Sequence, residues 1–164
     1  MFMTNLTFRP AERHDLEPLL PLFLEMERFY DGDAAVCEPL ARDRLAIALD
    51  GRPAGIMILA LTDRPLGFAS IHEMFPGSQL NAMWYLKELF VSADARGQGM
   101  GEGLMSAAAK AIVGRGGSRL EFTTEAQNIS AQRFYTRMGA REVPKKFYRY
   151  EGEALQRLAG QGLG

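Results

Sequence analysis

Apolar and polar positions alternate from Asn5 to Arg9 (NLTFR) and stop at Pro10, which predicts a first strand. From His14 to Arg28 the spacing changes. Leu16, Leu19, Leu20, Phe23 and Leu24 form a stripe at helical period, with Asp15 as the N-cap. Pro18 and Pro21 fall in the first turns of this helix. Pro21 lies deep enough to remove a backbone hydrogen bond, so a kink or a later start is expected there. Asp31-Gly32-Asp33 predicts a turn, and Glu38 to Leu49 predicts a second helix opening on Pro39 and closing at Asp50-Gly51.

The period then shifts toward two. Apolar runs from Ala54 to Thr62 and from Leu66 to Met74 read as a hairpin turning near Asp63 to Pro65. Ala82 to Val91 (AMWYLKELFV) is a further strand, rich in aromatic and aliphatic residues. A glycine-rich segment leads into an alanine-rich helix from about Gly101 to Val113. Arg119 to Thr123 reads as a short strand, Ser130 to Met138 as a helix, and Phe147 to Tyr150 as a last strand. Residues from Gly160 to Gly164 are expected to be disordered. The order β-α-α-β-β-β-α-β-α-β predicts an α/β (α+β) fold with a mixed sheet and helices on both faces. No repeat or linker interrupts it, and 164 residues suit a single domain, residues 1–164.

Composition narrows the function classes. An apolar share of 47% with 24% charged residues is that of a globular chain, which removes disorder as a description. Nineteen basic against twenty acidic side chains give a net charge of −1, which argues against a general nucleic-acid binder. One cysteine, Cys37, leaves no intrachain disulfide. With only His14 and His72 as imidazoles, no metal site is expected. The longest apolar stretch, Gly55 to Leu61, is too short to cross a bilayer, and no signal peptide is visible. These features point to a soluble, cytoplasmic protein with no membrane partner.

Candidate chemistry centres on Arg96-Gly97-Gln98-Gly99-Met100-Gly101-Glu102-Gly103, between a strand and a helix. Glycines there let the backbone turn sharply and aim N–H groups outward, and the helix start adds its positive end, together a phosphate site. The same glycines also suit an ordinary strand-to-helix loop. The dinucleotide fingerprint G-x-G-x-x-G fails, because Glu102 follows Gly97 and Gly99 where the third glycine belongs. A Walker A loop fails for want of any Gly-Lys pair. What remains, Arg96-x-x-Gly99-x-Gly101 directly after a strand, resembles the R/Q-x-x-G-x-G/A motif of the GNAT family of N-acetyltransferases. Asn128-x-x-Ala131-x-x-Phe134-Tyr135-x-x-x-Gly139-Ala140 is similar to that family's second signature. Within the family the segments YLKELFVSADARGQGMG and NISAQRFYTRMGA most resemble polyamine and diamine acetyltransferases.

The resemblance implies an acyl-CoA N-acyltransferase fold, mostly antiparallel, with acetyl-CoA as cosubstrate. It implies that the pantetheine arm lies along Leu89, Phe90 and Val91, where the fourth strand splays from its parallel neighbour. It assigns the pyrophosphate to the amides of Gly97, Gln98, Gly99, Met100, Gly101 and Glu102, with Arg96 adding a charge-assisted bond. Asn128 caps the following helix or bonds the pantetheine. Tyr135 would protonate or stabilise the departing thiolate, although its spacing with Ala131, Phe134 and Met138 also suits a core aromatic. An alkylamine, with a pKa of about 10, must lose a proton before it attacks. Glu88 is the best-placed acid for that, with His72 or a water chain as alternatives. Lys87 stands where the polyamine enzymes commonly carry glutamate, which weighs against a spermidine-like acceptor. By strand alternation Lys87 and Glu88 face opposite sides unless a bulge intervenes.

The acceptor side is expected to draw on Glu27, Tyr30, Trp84 and Lys87, with Glu25, Asp31 and Asp33 as further acids nearby. The acceptors expected first are small amines: a diamine or polyamine, an amino acid, or an aminoglycoside-like compound. A protein amino terminus or lysine comes second, and a catalytically silent coenzyme A sensor is the rival class. A homodimer is implied by the family, with Phe147, Tyr148 and Tyr150 on the last strand as the adhesive edge.

Overall fold

In the computed structural model, which describes residues 5–51 and 55–160, the chain divides at Thr123/Thr124 into two units. The first unit is built on a sheet of five strands in sequence order. They are β1 (Thr7–Pro10), β2 (Ile56–Leu61), β3 (Pro65–Met74), β4 (Met83–Val91) and β5 (Leu120–Glu121). The first four pair antiparallel and β5 runs parallel to β4. The expected mixed, mostly antiparallel sheet is therefore present.

Helices α1 (Leu16–Asp31) and α2 (Glu38–Leu49) cover one face, and α3 (Met100–Val113) covers the other. On the α1 face Leu19, Leu22 and Leu45 pack against Leu59, Phe68 and Phe90. On the α3 face Leu104, Ala108 and Ile112 pack against Ile58, Ala60, Ala69, Ile71, Trp84 and Leu86. Each fully buried Leu or Ile contributes about 1.5–3 kcal/mol, so α3 is anchored by its apolar stripe more than by propensity. Gly103 lets α3 lie close to β1, for a Cβ there would stand 2.1 Å from Phe8 Cζ.

Three local readings differ from the sequence expectation. Helix α1 starts at Leu16 and continues through Pro21, because Leu19, Leu20 and Leu22 are buried around it and hold the turn that lacks one hydrogen bond. Asp15 does not cap α1 through its side chain. Its carboxylate instead accepts from the Glu12 N–H (2.8 Å) and from both terminal nitrogens of Arg9 (2.8 and 2.7 Å). The start of the second predicted strand at Ala54, and the tail after Gly160, lie outside the described residues.

The third difference is in the second unit. It holds α4 (Ile129–Arg137) and α5 (Gly152–Leu158), and Phe147 to Tyr150 form no strand. Phe147, Tyr148 and Tyr150 have strand-forming side chains, but no strand is described in this unit for them to pair with, and all three are exposed. Helix α5 was not foreseen. It is only seven residues long, with an i,i+4 pair between Glu153 and Arg157 (3.4 Å).

Candidate active site

Strand β4 carries a bulge. Ser70 of β3 pairs with Glu88, but the next residue, Ile71, pairs with Leu86, so Lys87 is the extra residue. The bulge reverses the alternation. Glu88 and Phe90 look toward α1, whereas Leu86 and Trp84, of the same parity, look toward α3. It thereby supplies the condition under which Lys87 and Glu88 need not face opposite sides of the sheet.

The bulge also marks where β4 leaves its neighbour. Parallel pairing with β5 is confined to Trp84–Leu120 and Tyr85–Glu121, and no described strand pairs with the outer edge of β4 from Leu86 to Val91. The Ser92 N–H reaches back to the Leu66 carbonyl on β3 (2.9 Å). Ladder bonds alternate, so Leu89 and Val91 present their N–H and C=O groups to the open edge. Phe90 is 3% exposed, packed in the α1-face core, and can serve a ligand only through its backbone.

The open edge runs into the glycine-rich turn. Gly97 (φ 73°) and Gly99 (φ 79°) adopt left-handed conformations that an L side chain rarely takes, and nothing lies within 4 Å of where their Cβ atoms would stand. Gly99 is the N-cap of α3 and no side chain caps it. The first helical bond runs from Gly103 N–H to the Gly99 carbonyl (3.0 Å), so the N–H groups of Met100 and Gly101 lie at the helix start, where a helix offers no acceptor. Met100 has its side chain buried in the first unit, leaving the backbone as its contribution. The Gln98 amide nitrogen bonds the Asp94 carbonyl (3.2 Å), and Glu102 stands in the first turn of α3. Uncapped amides, open space and the positive end of a fourteen-residue helix fit a pyrophosphate, and the adjacent edge fits an amide-containing arm.

Arg96 occupies an unforeseen position. Its Nε donates to the Val91 carbonyl (3.0 Å), and its guanidinium rests over the Phe29 and Phe90 rings at 5.2 and 5.7 Å. Among the described residues no acceptor takes its terminal nitrogens.

On the α1 face the acceptor candidates separate. Tyr30 OH donates to Glu88 Oε1 (2.9 Å), joining the end of α1 to β4. Ser70, opposite Glu88 on β3, lies 3.1 Å from His72 Nε2. Glu27 is half-buried one turn before Tyr30, and Lys87 is exposed; neither has an ion-pair partner among the described residues. Trp84 does not belong to this group. It is 3% exposed on the α3 face, close to Ile112 and Gly117, and its Nε1 is buried without a hydrogen-bond partner. The bulge puts it on the side opposite Glu88, so its expected place in an acceptor wall beside Tyr30 is corrected.

In the second unit Asn128 caps α4, its Oδ1 accepting from the Ala131 N–H (3.1 Å), and Ser130 lies inside the helix. The helix closes on Gly139 (φ 87°), with Gly139 N–H bonded to Thr136 O and Ala140 N–H to Tyr135 O, both 3.0 Å. That Schellman pattern is the physical content of the Gly139-Ala140 ending. Tyr135 is half-buried, with its ring edge-on to Phe134 at 5.2 Å.

The sequence reading missed Ser70, and it took Glu25 for one more acid beside the acceptor site. Glu25 instead bonds the loop after β4, through the Ala93 N–H (2.8 Å) and the Ser92 hydroxyl (2.7 Å). No sequence signal marks either role, because both depend on strand register and on which residues α1 brings to the loop.

Comparison with known proteins gives the family. Residues 19–140 match the acetyltransferase (GNAT) family. An integron cassette protein from the mobile metagenome of V. cholerae is 35% identical, with a TM-score of 0.84 over 94% of this chain and 97% of its own. An uncharacterised N-acetyltransferase of Bacillus subtilis, YhfO, is 29% identical over 84% of this chain and 91% of its own length. The thialysine N-epsilon-acetyltransferase of Bos taurus is 31% identical over 47% of this chain and 48% of its own length. The chain belongs to the acetyltransferase (GNAT) family and is an acetyl-CoA-dependent N-acetyltransferase.

Proposed function

We propose that the protein transfers the acetyl group of acetyl-CoA to a primary amine of a small molecule, directly and within a ternary complex. The observation that carries the reading is the open edge of β4 followed, after one short turn, by an uncapped glycine turn at the start of α3. When bound, the thioester supplies the acetyl group; the chain supplies position and proton handling. The edge groups of Leu89 and Val91 hold the pantetheine arm, and the Val91 N–H polarises the carbonyl oxygen. The amides of Gly97 to Glu102 hold the pyrophosphate, with the terminal nitrogens of Arg96 beside them. Glu88, oriented by Tyr30, takes a proton from the substrate's ammonium group, directly or through water, and the neutral amine then attacks the thioester carbonyl. Tyr135 assists the departing thiolate, and Asn128 fixes the start of its helix.

The acceptor we favour carries a carboxylate as well as its amine. Lys87 is an exposed cation next to Glu88, which suits a zwitterion better than a polycation, and one relative is named for thialysine, an amine-bearing amino acid. Glu27 is the further acid on the same side. A single acetyltransferase domain is supported by a family match that spans the division between the two units. A cytoplasmic homodimer completes the reading. Exposed Phe147, Tyr148 and Tyr150 are consistent with contact to a second copy, and no described helix is long and apolar enough to cross a membrane.

Tyr135→Phe tests the site. Turnover is expected to fall at least about tenfold while coenzyme A affinity stays near that of the parent protein. Equal turnover in the variant would remove Tyr135 from the mechanism.

A further inference from the structure

We infer that Glu25 is a positioning residue for the cofactor, acting through the loop that sets the glycine turn. The inference rests on the reading that this turn holds the pyrophosphate of coenzyme A. Between β4 and α3 the chain makes a short 3-10 turn, Ala93–Ala95, followed at once by Arg96 and the glycines. Nothing in the sequence of that loop caps the turn. Its capping comes from α1: Glu25 Oε1 accepts from the Ala93 N–H (2.8 Å), and Glu25 Oε2 accepts from the Ser92 hydroxyl (2.7 Å). Ser92 is 4% exposed, so its hydroxyl depends on protein partners, and its single hydrogen is shared between Glu25 Oε2 and Asp94 Oδ1, the latter at 2.8 Å.

The other side of the loop is held from the β2–β3 turn. Arg64 pairs with Asp94 at 2.6 Å, and the hydrogen bonds from Ser92 and Arg64 hold the Asp94 carboxyl below the usual carboxylate range. Asp94 is exposed, so that pair adds little by itself. Glu25 is different. It is half-buried, its two oxygens receive one backbone and one side-chain donor, and both donors belong to consecutive residues. A two-point, charge-assisted bond of this kind fixes the direction in which the chain leaves β4. That direction sets where the amides of Gly97 to Gly101 point.

Preorganised donors bind an anion without a further ordering cost; a loop released from Glu25 must be ordered when the ligand arrives. Loss of Glu25 therefore weakens coenzyme A without removing any group that touches it. The same helix carries Phe29, which lies under Arg96, so α1 supports the turn at two places.

The test is calorimetric titration of coenzyme A into the full chain and into Glu25→Ala, Glu25→Gln and Ser92→Ala. Glu17→Gln, on the same helix as Glu25, serves as a control that breaks the surface pair with Arg42 of α2. Glu25→Ala is expected to raise the Kd about tenfold, and Glu25→Gln about threefold, because its amide oxygen still accepts from Ala93. Deuterium uptake without ligand is expected to rise over residues 92–99 and to stay unchanged in β3. A purely structural role would raise uptake across the core strands and leave the Kd alone. If Glu25→Ala does not fold, Glu25→Gln and Ser92→Ala carry the comparison. Parent-like affinity in the folded Glu25 variants overturns the inference. Failure of the parent protein to bind coenzyme A overturns the cofactor reading instead, and this inference with it.

Discussion

Asp15→Asn isolates the contact that fixes the start of α1, the helix that carries both Glu25 and Tyr30. In the native chain the Asp15 carboxylate, 4% exposed, takes two bonds from Arg9 at 2.8 and 2.7 Å and a third from the Glu12 N–H at 2.8 Å. Asparagine keeps an oxygen for Glu12 but presents an N–H where Arg9 needs an acceptor. Breaking a fully buried ion pair costs about 3–5 kcal/mol, whereas an exposed pair contributes about 0–1 kcal/mol. The Arg9 side chain is 35% exposed, so water recovers part of its loss, and about 2 kcal/mol is the expected cost. For a chain of this size that lowers Tm by roughly 4–8 °C.

The effect has a pH signature. Hydrogen bonds from Arg9, and then the Glu12 N–H, hold the folded Asp15 carboxyl below its ordinary value despite burial. A depressed carboxylate contributes fully above its unfolded value, about 4, and that contribution is lost as pH falls through the lower folded value. The Tm gap between parent and variant should therefore hold from pH 7 to pH 5 and close only below about pH 4. Differential scanning calorimetry across that range decides the matter. A variant within about 1 °C of the parent at pH 7, or a gap independent of pH down to 3, would refute the reasoning.

Two further outcomes are expected. Gly103→Ala gains about 1 kcal/mol of helix propensity but drives a methyl group into the Phe8 ring, which costs about 1–3 kcal/mol, so a net loss near 1 kcal/mol and a Tm about 2–4 °C lower should be measured. A Tm equal to or above the parent's would mean that the ring swings clear. Glu88→Gln keeps the acceptor for Tyr30 but removes the base: kcat/KM should fall about a hundredfold at pH 7 and recover as pH rises toward the amine's own pKa, whereas a parallel pH profile would move the base elsewhere.

Much of the architecture was legible because two periods are written plainly in the chain. The stripe from Leu16 to Leu24 buries one face of α1, the apolar runs around Leu59 and Phe68 bury both faces of β2 and β3, and each becomes the element that its pattern predicts. The glycine turn was legible for a different reason: Gly97 and Gly99 take backbone angles that few other residues adopt, so the motif states its own geometry. Trp84 was expected in the acceptor wall beside Tyr30, and the bulge in β4 sets it on the other face. One extra residue at Lys87 exchanges the faces of everything before it, and a bulge is a property of pairing with β3, which no single-strand pattern contains. Phe147 to Tyr150 failed in the same way, since strand propensity describes a side chain's fit to a sheet and does not supply the neighbouring strand. Glu25 looked like one of several surface acids because its partners, Ser92 and Ala93, are nearly seventy positions away.

The central claim is tested most directly by thiol release from acetyl-CoA in the presence of amines. The amines are lysine-like and ornithine-like amino acids, diamines and polyamines, aminoglycosides, and lysine peptides. The account predicts turnover with the small amines, fastest with those that carry a carboxylate, and a rise in Tm on adding acetyl-CoA alone. No thiol release with any amine, together with an unchanged Tm at millimolar acetyl-CoA, would contradict it.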